Sequence, residues 1–150
     1  MNEKHYFNES YKEAVKAFNK GEVPVGAVVV FEDKIIARAH NNREAKQSFK
    51  GHAEFLAMEK AAKKIGSWRL EDCDVYVTME PCPMCAGAMI QARVRKCYYS
   101  SFDLKNGVAN SIINLFDLPF NHHVHCEYVD DQGKSEQLVK TFFKKLRKKD

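Results

Sequence analysis

A chain of 150 residues can bury about two thirds of its unfolded surface in one domain, so it needs no disulfide scaffold for its core. A composition of 45% hydrophobic and 29% charged residues, with no run near the roughly 20 apolar residues of a membrane span, excludes a membrane-spanning or disordered chain. The odd count of five cysteines gives no reason to assume a disulfide framework, and the net charge of +4 permits a polyanionic partner without requiring one.

The start, MNEKHYFNES, shows neither a secretory apolar core nor an Arg- and Ser-rich transit pattern, so the expected compartment is the cytoplasm. Phe7, Tyr11, Ala14, Val15 and Phe18 recur at helical spacing, predicting an amphipathic helix that ends near Gly21. Val23 to Phe31 is a valine-rich run, Glu32 to Lys34 has turn character, and Ile35 to Ala39 resumes, which predicts a buried hairpin. Asn41 to Gly51 reads as an irregular loop, followed by a helix from about His52 to Ile65 with Gly66 as a left-handed cap. Cys73 to Met79 is a third strand, Pro81 and Pro83 mark a turn, and Met84 to Ala92 a small-residue helix. Arg95 to Ser101 is a fourth strand, Ser111 to Leu115 a short helix, and Val124 to Val129 a fifth strand. The last helix sets Val139, Phe142, Phe143 and Leu146 on one face and Lys140, Lys144, Lys145, Arg147, Lys148 and Lys149 on the other. That ridge is open to two readings, a solvated helix end whose cations suit the macrodipole or a nucleic-acid contact. With no repeat, linker or low-complexity tract, the expectation is a single domain over residues 1–150. Its predicted fold is α/β, a three-layer α/β/α sandwich around a mixed five-stranded sheet.

Two motifs carry the chemistry: His52-Ala53-Glu54 at one helix start and Pro81-Cys82-Pro83-Met84-Cys85 at another. Each follows a loop after a strand, so both helix starts can meet at one end of the sheet, where open α/β sheets place ligands. A CxxC pair at a helix N-terminus points two sulfurs the same way, and the free N–H groups there favour thiolates. Adding His52 gives a three-ligand zinc site with one open position, in which a coordinated water is acidified from a pKa of about 15.7 toward about 7. Glu54 stands about 200° round the helix from His52, which suits a proton carrier better than a fourth ligand. Taken singly, the CxxC also reads as a redox pair or half a structural zinc knot, and His52 as a cap.

With these spacings the sequence resembles the zinc-dependent nucleobase deaminases, known by an H-x-E and P-C-x-x-C signature. With EVPVGAVVV at Glu22 to Val30 and EPCPMCAGAM at Glu80 to Met89, it is similar, over almost its whole length, to the bacterial tRNA-specific adenosine deaminases of the cytidine deaminase superfamily. That resemblance implies a cytidine-deaminase-like fold and a homodimer with one zinc per subunit. It also implies conversion of adenosine to inosine at the wobble position of a tRNA anticodon, tRNA-Arg being the expected substrate, through zinc-bound hydroxide and a glutamate proton shuttle. The resemblance assigns His52, Cys82 and Cys85 to the metal, Glu54 to the shuttle, and Asn41 and the Ala53 amide to the base. It assigns Asp103, Lys105, His122, His123 and the cations Lys144, Lys145, Arg147 and Lys148 to the RNA. Asp103-Leu-Lys-Asn-Gly107 also reads as an ordinary turn. The segment between Arg43 and Lys50 departs from the family's usual loop, so no family contact is carried onto it.

Strand alternation sets Val124 and Cys126 on one face and His123 and His125 on the other, so no second metal site is expected at this His/Cys cluster. Cys73, Cys97 and Cys126 read as buried thiols acting as small hydrophobes. Two other readings stay open: a deaminase of a free base or nucleoside of the guanine or cytosine type, and a non-catalytic, zinc-stabilised RNA-binding module.

Overall fold

The computed structural model describes residues 2–148, so Lys149 of the basic ridge lies outside the described residues. In chain order the elements are α1 (Glu3–Asn19), β1 (Gly26–Phe31), β2 (Lys34–His40), α2 (Arg43–Lys46), α3 (Ala53–Ile65), β3 (Cys73–Val77), α4 (Pro83–Gln91), β4 (Lys96–Tyr99), a 3-10 turn (Leu115–Asp117), β5 (His125–Tyr128) and α5 (Lys134–Lys148). The five strands form one mixed sheet in the order β2-β1-β3-β4-β5, as expected. The β1 strand runs antiparallel to both β2 and β3, whereas β3, β4 and β5 are mutually parallel.

Alternation along each strand explains the three layers. Val29, Val75, Val77, Cys97 and Tyr99 point to the face covered by α3 and α4, where they meet Ala53, Ala57, Ala61, Ala86 and Met89. Val28, Val30, Tyr76 and Tyr98 point to the other face, where Tyr6 and Phe7 of α1 close over them. The Tyr76 and Tyr98 rings stack at 5.0 Å and Phe7 meets Tyr76 edge-on at 5.3 Å, contacts worth about 0.5–1.5 kcal/mol each beyond their area. Helix α5 packs on α1 through Phe142 against Phe18.

The hairpin turn places Glu32 and Asp33 at φ of 50° and 62°, the left-handed pair that suits a two-residue turn between twisted strands. Neither is glycine, and the Tyr6 hydroxyl holds the turn by donating to the Asp33 carbonyl at 2.9 Å. Strand β1 starts at Gly26 rather than Val23 because Pro24 has no N–H to give a ladder. Strands β3 and β4 stop short of Met79 and Ser101 because hydroxyls take over: Ser100 and Ser101 both donate to the Thr78 carbonyl. The helix expected over Ser111 to Leu115 is instead the 3-10 turn Leu115–Asp117. Gly66 caps α3 in the left-handed conformation. Cys73 and Cys97 are fully buried and Cys126 packs partly against the same core, and all five cysteines are unbridged. Among the described residues, no helix is long and apolar enough to cross a membrane.

Candidate active site

His52 is the N-cap of α3 and Cys82 the N-cap of α4, both in extended backbone conformation. Pro83 occupies the first turn of α4, where its missing N–H costs nothing. Both helix starts lie at the C-terminal end of β3, so two motifs of which the second begins 27 positions after the first ends face each other. His52 Nδ1 is 3.5 Å from Cys82 Sγ and 3.6 Å from Cys85 Sγ, and the three donor atoms lie within 4.8 Å of one another. Tetrahedral zinc, with bonds of about 2.3 Å to sulfur and about 2.0–2.1 Å to nitrogen, sets a sulfur–nitrogen edge of about 3.6 Å. The trio therefore fits a tetrahedral ion in spacing as well as in softness.

The three groups perturb one another. Cys82 is pulled down to about 4, chiefly by a hydrogen bond from the Cys85 thiol against the opposing effect of burial, then by bonds from His52 and the Cys85 N–H. Cys85 is driven upward by the Cys82 thiolate and by burial. His52 is raised by its bond to Cys82, while burial and the Arg43 charge pull the other way. Without metal, Cys82 is thus the thiolate of the trio, and a bound dication would displace the proton of Cys85 and any on His52.

Glu54 sits in the first turn of α3, 4% exposed. Burial pushes its carboxyl up to about 7, with the Cys82 charge adding to the rise, so it titrates near neutrality beside the trio. Asn41, just past β2, reaches the same helix start, where its Oδ1 accepts the Ala53 N–H at 2.8 Å. The Ala53 amide, expected to face a base, is thus already engaged. Because that backbone donor fixes which way the Asn41 amide lies, Nδ2 is the group left to recognise a ligand.

Two buried carboxylates with no role assigned from sequence hold the neighbouring loops. Glu80, 2% exposed, accepts the N–H groups of Asp103, Ala109, Asn110 and Ser111 and the Ser111 hydroxyl. Burial opposes its ionisation, yet the Ser111 hydroxyl and these N–H groups hold its carboxyl below the ordinary range. A Cβ on Gly107 would overlap that carboxyl, which explains the glycine. Glu22, 3% exposed, accepts the Glu44 and Ala45 N–H groups at 3.1 and 2.7 Å and so caps α2, one helical turn inside the segment expected to be irregular. The only sequence signal was an acid just before a proline in an otherwise apolar stretch, Glu22-Val-Pro and Glu80-Pro.

The expected RNA-contact residues divide between the two ends of the sheet. Asp103 and Lys105 follow β4 at the metal-trio end. The Asp103 carboxylate accepts the Lys105 and Asn106 N–H groups at 3.2 and 3.1 Å, a turn-making role, and Lys105 is exposed. Helix α5 runs alongside α1 in the same direction: Lys134 lies over Tyr11 and Lys145 over Phe18. Its cationic end with Lys144, Lys145, Arg147 and Lys148 therefore points toward the trio end as well. His122 and His123 do not: they precede β5, at the opposite end of the sheet, and His122 Nε2 bonds the Val94 carbonyl at 2.7 Å.

The sequence model of the MafB19-like deaminase family matches residues 1–147. The chain is 46% identical over 145 residues to the tRNA-specific adenosine deaminase of Bacillus subtilis, covering 96% of this chain and 90% of that protein. It is 43% identical to that of Aquifex aeolicus, covering 98% and 97% of the two chains. Its structure matches, at a TM-score of 0.85 and 36% identity over 89% of this chain and 98% of the other, a protein studied in A-to-I editing by tRNA:A34 deaminases at the wobble position of transfer RNA. A guanine deaminase from Bacillus subtilis matches at a TM-score of 0.65 and 28% identity, covering 81% and 88%.

Proposed function

Because the chain belongs to the MafB19-like deaminase family, alongside the bacterial tRNA-specific adenosine deaminases, we propose that it hydrolyses adenosine to inosine at the wobble position of a tRNA anticodon, with tRNA-Arg as a substrate. The observation that carries the deaminase reading is a buried Glu54, in the first turn of the helix that His52 caps, beside a His52–Cys82–Cys85 trio spaced for a metal.

His52 Nδ1, Cys82 Sγ and Cys85 Sγ would hold one zinc per subunit. Zinc bound there supplies Lewis acidity that makes water a nucleophile in neutral solution. Glu54 takes a proton from the attacking water and delivers it to N1 of the purine ring. It then carries the second proton of that water to the departing ammonia, so one carboxyl serves as base and acid. The balance is adenosine plus water giving inosine plus ammonia. Asn41 orients the base through Nδ2, and a contact from the Ala53 amide requires its N–H to be shared with Asn41 Oδ1. An anticodon loop presents its bases unstacked, which spares the few kcal/mol of extraction from a duplex.

Lys105, with Asp103 shaping its turn, and Lys144, Lys145, Arg147 and Lys148 meet the RNA backbone. His122 and His123, at the far end of their own subunit's sheet, reach RNA only across a homodimer. The chain then acts as a single cytoplasmic domain whose partners are tRNA and a second copy of itself.

The guanine deaminase match keeps a free-base substrate in view, but a cationic helix end at the trio's end of the sheet has no use for a small neutral base. The deciding experiment compares ammonia release from an anticodon stem-loop, free adenosine and free guanine. The stem-loop should be strongly preferred, with KM rising as salt is added. Equal rates on the stem-loop and free adenosine, or faster turnover of guanine, would refute the tRNA assignment.

A further inference from the structure

Phe49 stands 84% exposed, three residues before His52, and takes part in neither hydrophobic cluster nor any aromatic pair among the described residues. The loop holding it is closed by backbone bonds from Asn42 to Gly51, Ser48 to Arg43 and Gly51 to Ser48, at 3.0, 3.1 and 3.0 Å. Its helical turn α2 is pinned from below by the Glu22 carboxylate. A large ring is thus held out in water by a loop that is fixed. Three residues of chain span at most about 11 Å, so Phe49 stays within reach of a nucleotide next to one bound at His52.

Charge identifies the occupant. The loop carries Arg43, Lys46 and Lys50 against Glu44, all exposed. Among the described residues, Arg43 and Lys46 make no ion pair, while Lys50 pairs with Glu59 at 3.4 Å. A bare aromatic ring on a loop that carries three cations suits a single-stranded nucleotide, whose base stacks and whose phosphate is neutralised. The same ring facing an apolar protein surface would bury those cations unpaired.

We propose that Phe49 is a stacking platform for the nucleotide beside the edited adenosine, positioning the anticodon loop over the site. The inference rests on the proposed tRNA function.

The test measures kcat and KM on an anticodon stem-loop for wild type, Phe49→Ala, Phe49→Leu and Phe49→Trp, with each protein's mass in solution determined by sedimentation. Loss of one base–aromatic stack should raise KM about 5- to 150-fold in Phe49→Ala and Phe49→Leu, with kcat and mass little changed. Phe49→Trp should keep the wild-type KM. An unchanged KM in Phe49→Ala, full recovery by Leu, or a fall in mass that tracks the loss of activity would overturn it, the last by showing that a second copy of the chain covers the ring. If wild type itself leaves the stem-loop unreacted, the tRNA assignment fails. If wild type reacts and Phe49→Ala equals it, only the stacking role fails.

Discussion

Asn41 Oδ1 accepts the Ala53 N–H at 2.8 Å, tying the end of the edge strand β2 to the first turn of the helix that carries Glu54. Under the proposed function this side chain has two duties, since Oδ1 closes the helix start and Nδ2 is left to meet the base. The duties separate by mutation. Asn41→Asp keeps an acceptor for Ala53 but loses the outward donor, so it should fold with near wild-type stability and lose most turnover. Asn41→Ala also leaves the Ala53 N–H without a partner, which should cost a further ~1–3 kcal/mol. Thermal melts and ammonia release on both variants check this. An active Asn41→Asp protein would remove Asn41 from base recognition.

Glu54 belongs to the site but not to the donor trio, so metal and turnover should part company when it is changed. Glu54→Gln and Glu54→Ala should each bind one zinc per chain, while turnover falls by at least about 10²–10⁴-fold, the usual worth of a positioned acid-base group. Metal analysis by mass spectrometry alongside inosine formation reads both. Zinc lost together with activity would make Glu54 a ligand.

The metal trio was legible in the sequence because its members sit in two short contiguous motifs at helix starts, and helix starts in an α/β sheet gather at strand ends. The layers were legible for a similar reason, since strand alternation and helical period act on side-chain type. Glu22 and Glu80 were not, because their partners are backbone N–H groups, which every residue type offers. The turn α2 was missed with them, since a carboxylate cap rather than an apolar stripe sustains four residues of helix. His122 shows a further limit: resemblance places it near RNA, but only the parallel run of β4 and β5 reveals that it sits at the other end of its own sheet.

Helix α1 is tied to β2 by two carboxylates whose pH behaviour is testable. Glu9 is held down to about 2, first by its bond with Lys12 and then by Arg38, from an ordinary value of 4.5. Glu13 is pushed upward by burial, but His40 and Lys16 outweigh this and leave it below 4.5. Folded values below unfolded ones mean stabilisation that is fully present above about pH 4.5 and is lost as pH falls toward about 2. The melting-temperature gap between wild type and Glu9→Gln/Glu13→Gln should hold steady from about pH 7 to 5, shrink below that, and close near pH 2. A gap unchanged at the acid end would mean that the neutral carboxyls do the stabilising.

Glu80 offers the sharpest separation of structure from chemistry. It faces only donors, with three N–H groups on one oxygen and the Asp103 N–H and Ser111 hydroxyl on the other. Glu80→Gln preserves shape but turns one acceptor into a donor. The Ser111 hydroxyl can rotate to accept from it, whereas the Asp103 N–H cannot, so at least one buried donor is stranded at about 1–3 kcal/mol. The loosening should be local. Hydrogen exchange should quicken across residues 102–112, which carry Asp103 and Lys105, and leave α3 unchanged, with zinc still bound and KM for a stem-loop rising more than kcat falls. Uniform acceleration along the chain would mean that Glu80 supports the whole fold, and no acceleration would mean that the loop is held by its own Asp103 turn.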